Sequence, residues 1–278
     1  MLLITAGITC RANAEPFVVK APNGSIDWAS GVITARGIGK PAAKNNKDTT
    51  EARAERFSAA MQNAGQNLFE IVKSIRINTD KYVENLSDED PSILIKAREM
   101  VYETREVETK RKQGPDESLE VLLRFNIYGG FAQMVLPREI KQVESITKVL
   151  PGNKTPPEGP VPGVFSGLIV DARCLDANPA MVPHIFDEKG QAVYGPAFVS
   201  REFAVQKGMA GYLTTIEDAE KSVRVGLKPL MAKGLKTEGP GRCDFVISNS
   251  DAAVLRKTSE HLLFLRKCRV VIVLDAEK

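Results

Sequence analysis

The alternation of apolar and polar positions along the chain predicts an ordered series of elements. The stretch from Gly31 to Gly39, with Val32, Ile33, Thr34 and Ile38, predicts a strand. Asp48-Thr-Thr-Glu51 fits a capping box, with an oxygen acceptor at the start and a carboxylate three residues on. Ala54, Phe57, Ala60, Met61, Ala64, Leu68, Ile71 and Val72 then recur at helical spacing and predict one long amphipathic helix. Ala60, Ala64 and Gly65 are small, so that helix can lie close on a sheet. A short strand is expected over Ser74 to Thr79 and a second helix over Pro91 to Glu99. Two charged, alternating strands are expected over Val101 to Arg111 and Ser118 to Tyr128, turning at Gln113 to Asp116. Gly129-Gly130 interrupts the pattern and Phe131 to Leu136 resumes it.

The second half reads differently. Gly167 to Ala172 is a near-continuous apolar run, the pattern of a strand buried on both faces. Ile185 to Gly190 followed by Ala192 to Tyr194 predicts a hairpin that turns at Asp187 to Gly190. A helix is expected over Ile216 to Val223, a strand over Phe245 to Ser248, and a helix from Asp251 to about Leu263, capped by Asn249 or Ser250. Cys268 to Leu274 predicts a buried final strand. Between the halves, the window 151–163 holds five prolines and three glycines. Such a segment sustains neither a helix nor a central strand. The expected organisation is therefore an N-terminal domain over 26–150, a linker over 151–163 and a C-terminal domain over 164–278. The expected class is α+β, with an N-terminal sheet on one long Ala-rich helix and a C-terminal mixed α/β domain.

The N-terminus changes the compartment expected. Met1 to Cys10 is an apolar stretch of signal-peptide length, and Ala12-Asn13-Ala14 places small residues where a signal peptidase reads them. Cleavage is expected after Ala14, although the basic residues that usually open such a segment are absent. The stretch is too short for a transmembrane helix, which needs ~20 apolar residues. Cys10 is a poor lipidation site, because Thr9 is branched and Gly7 stands where leucine is usual. A buried or unstructured N-terminal strand is the plainer alternative.

Composition narrows the chemistry. The 278 residues carry 38 basic and 35 acidic side chains, a near balance that argues against a dedicated nucleic-acid binder. Hydrophobic residues make up 43%, enough for a substantial core. With Cys10 removed, Cys174, Cys243 and Cys268 remain, so one disulfide at most is available. Cys243 and Cys268 each lie at an expected strand start and are the candidate pair if those strands are adjacent and parallel. Only His184 and His261 are present and no CxxC pair occurs, which disfavours a structural zinc site. His261 reads as a helix-surface or packing residue. Gly37-Ile-Gly-Lys-Pro-Ala42 has dinucleotide-motif spacing, but Pro41 interrupts it and the helix starts too late to present its N–H groups. A strand-exit turn explains it better. Asp171, Arg173, Asp176, His184 and Asp187 are the one concentration of catalytic-type residues, and an enzyme would need several to converge on one pocket. Alternation puts Asp171 and Arg173 on one face, where a structural ion pair is the plainer reading. No catalytic, metal or cofactor residue is assigned, and no cofactor is expected.

The strand ITARGIG (33–39), the helix EARAERFSAAMQNAGQNLFEIVKSIRIN (51–78) and the block LEVLLRFNIYGGFAQMVLP (119–137) resemble the Lpp20-like lipoprotein family, which includes the flagellar FlgP-like proteins. A FlgT-like module is similar too. The resemblance covers the first half only and rests on structural motifs. It implies an SHS2-like sheet-and-helix module. It also implies a non-enzymatic protein of the periplasm or outer membrane, acting through protein partners or self-assembly in flagellar or other envelope machinery. GLIVDAR (167–173), NPAMVPHIFDEKGQAVYG (178–195) and CDFVISNSDAAVLRK (243–257) resemble a segment that accompanies such modules, and no activity comes with it. That segment has glycine where this chain has Cys174, so a left-handed backbone there would strain the cysteine. Two alternatives remain open. One is a periplasmic ligand-binding protein with a large apolar cleft between the halves. The other is an envelope enzyme with a site near Asp171 and His184.

Overall fold

The computed structural model describes residues 16–40, 49–104, 107–111, 118–141 and 164–276. The expected signal segment with Ala14, the Gln113–Asp116 turn and the 151–163 linker lie outside the described residues. The fold is α+β, with two sheets.

The first sheet is antiparallel. It is built from β1 (Val18–Ala21), β2 (Gly24–Asp27), β3 (Val32–Gly39), β4 (Val107–Arg111) and β5 (Leu119–Asn126), in the order β1-β2-β3-β5-β4. The β1–β2 hairpin was not among the expected elements, although Pro22-Asn23-Gly24 is a readable turn signal. Along β3, Ile33, Ala35, Gly37 and Gly39 are buried under helix α1 (Thr50–Lys73). The close approach needs glycine on the sheet side. A Cβ on Gly37 would stand 2.1 Å from the Ala60 carbonyl oxygen, and one on Gly39 would stand 1.9 Å from that of Arg56. Gly65, by contrast, faces Tyr102 and not the sheet.

Three details of α1 depart from expectation. Its N-cap is Thr49, whose hydroxyl accepts the Ala52 N–H at 3.2 Å. Asp48, the expected cap, lies outside the described residues. Ala60, Ala64, Leu68, Ile71 and Val72 are buried as the stripe predicts, but Ala54 and Phe57 are exposed and Arg56 is buried instead. β3 ends at Gly39, opposite Arg56, and among the described residues no strand continues under the first turns.

Ser74 to Thr79 makes only an isolated bridge, Arg76 to Tyr82, in place of a strand. Helix α2 (Ser92–Tyr102) takes in Val101 and Tyr102, which were expected to open β4. Residues 131–136 were expected to resume a strand, but α3 (Gly130–Val135) forms there. Phe131, Ala132 and Val135 are its buried positions, and that spacing suits a helical face better than strand alternation.

The second sheet has seven strands: β6 (Gly167–Asp171), β7 (Ile185–Asp187), β8 (Ala192–Tyr194), β9 (Gly211–Leu213), β10 (Pro229–Glu238), β11 (Asp244–Ile247) and β12 (Val270–Val273). Their order is β8-β7-β11-β10-β6-β12-β9. β6, β9, β10 and β12 run parallel, while β11 runs against β10. Helices α4 (Arg201–Lys207), α5 (Ile216–Lys221), α6 (Asn249–Arg256) and α7 (Ser259–Arg266) complete this part. The single helix expected over 251–263 is two helices. Ser248 caps the first by accepting the Asp251 N–H, and Thr258 caps the second by accepting the His261 N–H.

One set of buried apolar side chains runs through both sheets, from Phe17 and Ile33 to Phe245 and Ile272. Specific contacts tie the two parts together. Met181 and Val182 donate their N–H groups to the carbonyls of Arg76 and Ile77 at 3.0 and 2.8 Å. Trp28 meets Tyr212 edge to face at 5.7 Å. Arg201, on α4, donates to the carbonyls of Gln133 and Pro137 at 2.7 and 2.8 Å, satisfying acceptors at the end of α3.

Candidate functional site

The five charged residues singled out in the sequence do not form one pocket. Asp171 ends β6 and is held by Arg173 through two parallel bonds, Nε to Oδ1 at 2.7 Å and Nη2 to Oδ2 at 2.8 Å. That fork holds the Asp171 carboxyl below the usual carboxylate range. Asp176 pairs with Arg242, and both sit in left-handed backbone, at φ 48° and 54°. His184 precedes β7. Its backbone N–H donates to Asp244 Oδ1 at 2.9 Å, and its ring Nδ1 lies 3.2 Å from the same oxygen. The imidazole stacks on Phe186 with 10° between the planes.

Asp187 is 2% exposed at the hairpin turn. It accepts from Arg256 Nη1 at 2.8 Å, from the Gln191 N–H at 2.8 Å and from the Lys189 N–H at 3.0 Å. Burial opposes ionisation of this carboxyl, but these donors outweigh it and pull Asp187 below the ordinary range. Each candidate is thus engaged by its own structural partner. Asp171 and the His184 strand are three sheet positions apart, roughly 14 Å at ~4.8 Å per strand.

The cysteines are also separated. Cys174, Cys243 and Cys268 are all free thiols. The pairing expected of Cys243 and Cys268 does not form. β10 and β6 lie between their strands, and β11 runs opposite to β12, so the two strand starts face opposite ends of the sheet. Burial pushes the Cys243 thiol up to about 12 and the Cys268 thiol up to about 11. Cys174 has φ 64°, in the left-handed region that favours glycine, and its N–H donates to Asp275 Oδ2 at 2.7 Å. The strain anticipated at this position is therefore present.

His261 is fully buried. Its Nδ1 bonds the Val254 carbonyl at 2.8 Å and its Nε2 accepts the Phe165 N–H at 3.1 Å, so it is a packing residue. Gly37 and Gly39 serve the helix–sheet contact already described. Among the described residues, no group of three or more His, Cys, Asp or Glu side chains gathers for a metal ion, and no helix is long and apolar enough to cross a membrane.

Two concavities lie where the parts of the chain meet. The larger is an open groove of about 1160 Å³ between α2 and α3 on one side and the His184 segment on the other. Glu89, Lys96, Glu99 and Arg138 stand among its walls beside Ile77, Leu86, Ile93 and Met100, so its lining mixes charged and apolar side chains. The smaller, of about 690 Å³, lies between β1 and the loop after β6, with Arg76, Tyr82, Cys174 and Asn178 along it. Sequence reasoning raised a cleft between the halves only as an alternative and an apolar one, and it missed the partners Asp244, Arg242 and Arg256. Those partners stand 60, 66 and 69 residues from the acids or histidine they engage, and no local pattern signals a contact at that distance.

Residues 167–276 match the family described as Treponema pallidum Tp0624, second domain. The matched span opens at the first residue of β6 and closes just after β12, so it takes in the whole second sheet. No curated protein matches the chain at a significant level. The second part of this chain is thus similar to one domain of a treponemal protein.

Proposed function

We propose that this chain is a non-enzymatic structural or assembly protein of the bacterial envelope, exported to the periplasm and associated with the outer membrane, in flagellar or other envelope machinery. The observation that carries the reading is the dispersal of the catalytic-type residues. Asp171, Asp176, His184 and Asp187 are each held by a separate partner, so these residues do not converge on one reacting atom. Three further features support it: the N-terminal stretch up to Ala14, the Lpp20-like character of the first half, and a sheet with one long Ala-rich helix laid on it. Its partners on this reading are proteins, including copies of itself.

Native mass and electron microscopy of the purified protein test the proposal. Oligomers, or co-purification with an envelope component, are expected. A strict monomer that brings down no envelope component contradicts it.

The groove beside His184 favours a second reading, a periplasmic ligand-binding protein. The cleft expected on that reading was apolar, whereas this groove is lined by charged and apolar side chains together, which suits a ligand with both characters. A small molecule retained by the purified protein in native mass spectrometry would favour this reading over the first.

A further inference from the structure

Four parallel strands of the second sheet begin along one edge. The chain enters β6, β9, β10 and β12 there through segments 164–166, 207–210, 220–228 and 266–269. These segments carry Lys207, Lys221, Arg224, Lys228, Arg266, Lys267 and Arg269, against the single carboxylate Glu220. Arg224 draws three of the segments together. Its Nη1 donates to the carbonyls of Gly208 and Cys268 at 3.2 and 3.0 Å, and its Nη2 donates to that of Lys207. Burial, together with the charges of Arg224, Arg269 and Lys267, pushes the Lys207 ammonium below lysine's usual range, as expected where cations crowd.

The same edge displays apolar side chains that the fold does not use. In the loop 222–228, Val225 is fully buried, whereas Val223 is 98% exposed and Leu227 is fully exposed. The loop is pinned from behind. Ser166 Oγ donates to the Val225 carbonyl at 2.6 Å and accepts the Lys228 N–H at 2.9 Å. Gly226, at φ 76°, lies against Ser166 so closely that a Cβ there would stand 2.9 Å from its Oγ. Two aliphatic side chains are therefore held in water on a fixed loop, flanked by the exposed Lys221 and Lys228.

We infer that this edge is a docking surface for an anionic lipid bilayer, with Val223 and Leu227 entering the headgroup region and the exposed Lys221, Lys228 and Lys267 meeting the lipid charges. Protruding aliphatic side chains gain from a bilayer without needing a shaped partner, and nearby basic residues add attraction to anionic lipid. A protein partner would be met by a flat or concave patch with aromatic anchors, and these segments offer only Phe165, which Lys228 covers. The inference rests on the envelope reading for the compartment. Vesicle binding is measured without reference to assembly, so either reading can fail alone.

The test uses the full chain carrying Leu227→Trp. Trp28 is the only tryptophan and is buried, so the new indole reports on the loop itself whatever the N-terminal stretch does. With phosphatidylglycerol-containing vesicles its emission should shift to the blue and be quenched by brominated lipid, and added salt should reverse both. Pure phosphatidylcholine vesicles should give little change. Adding Lys221→Glu or Lys228→Glu should weaken the response by about fivefold each. An indole that stays in water with anionic vesicles, or a response equal in neutral ones, overturns the inference. A shift with soluble polyglutamate and none with vesicles would assign the edge to an acidic protein instead.

Discussion

Cys174, Cys243 and Cys268 differ in access to solvent, and that difference predicts their chemistry. Cys174 is exposed, whereas the other two are buried with thiols pushed up to about 12 and about 11, so they stay protonated near neutral pH. Brief alkylation of the native protein followed by peptide mapping should label Cys174 and spare Cys243 and Cys268 until denaturant is added. The aspartates predict a pH dependence. Asp171 and Asp187 both have carboxyl groups below the ordinary aspartate value of about 3.9. Their contribution to stability is therefore full above that value and is lost as pH falls through the depressed folded values. Urea midpoints measured from pH 6 downward should drop in acid, and Asp187→Asn should make the drop shallower (roughly pH 5 to below 3 is the relevant window). The Asp171–Arg173 pair was legible because the two lie only two residues apart, although Arg173 stands in the turn after β6 and not on the strand. Asp187–Arg256 was not, since it joins residues 69 apart in the chain.

At the level of elements, the contact of α1 with β3 rests on absent side chains. Gly37→Ala places a Cβ 2.1 Å from the Ala60 carbonyl oxygen and 2.3 Å from the Ala64 nitrogen, both backbone atoms that cannot turn aside. It should cost about 1–3 kcal/mol of stability, read as a lower urea midpoint at unchanged slope. The long helix, the β7–β8 hairpin and the buried β6 and β12 were legible because each carries a strong periodic or continuous apolar pattern. β10 was missed, although it is ten residues long and lies within the sheet. Its outward positions Met231, Lys233 and Leu235 mix charged and apolar types, and Gly234 weakens the strand signal further. The 131–136 run was misjudged because short apolar runs suit either a strand or a helix, and here the tertiary core decided.

Across the whole molecule, the two sheets share buried side chains. Trp28 from the first part rests on Tyr212 from the second, and Tyr212 Oη both donates to the Ala180 carbonyl at 2.7 Å and accepts the Ala180 N–H at 3.1 Å. Unfolding followed by Trp28 fluorescence and by far-ultraviolet circular dichroism should therefore trace one coincident transition. Two separated transitions would show that the shared core does not couple the parts. The proline-rich window falls between the residues of the two sheets, and nothing in the sequence signals that the sheets share buried side chains. Such contacts join residues distant in the chain, and neither propensity nor periodicity encodes them. The reading of function has the same limit. Residue types suggested a site around Asp171 and His184, and only their placement in the sheet distributes them among separate partners.

The central claim is that the chain is exported and works through assembly or partner binding. Native mass spectrometry of the chain recovered from fractionated cells tests both parts at once, because it reads the subunit mass and the mass of the complex. The account predicts a subunit lacking residues 1–14, recovered from the envelope or periplasmic fraction within an oligomer or a complex. An uncleaved, solitary monomer in the cytoplasmic fraction would contradict it.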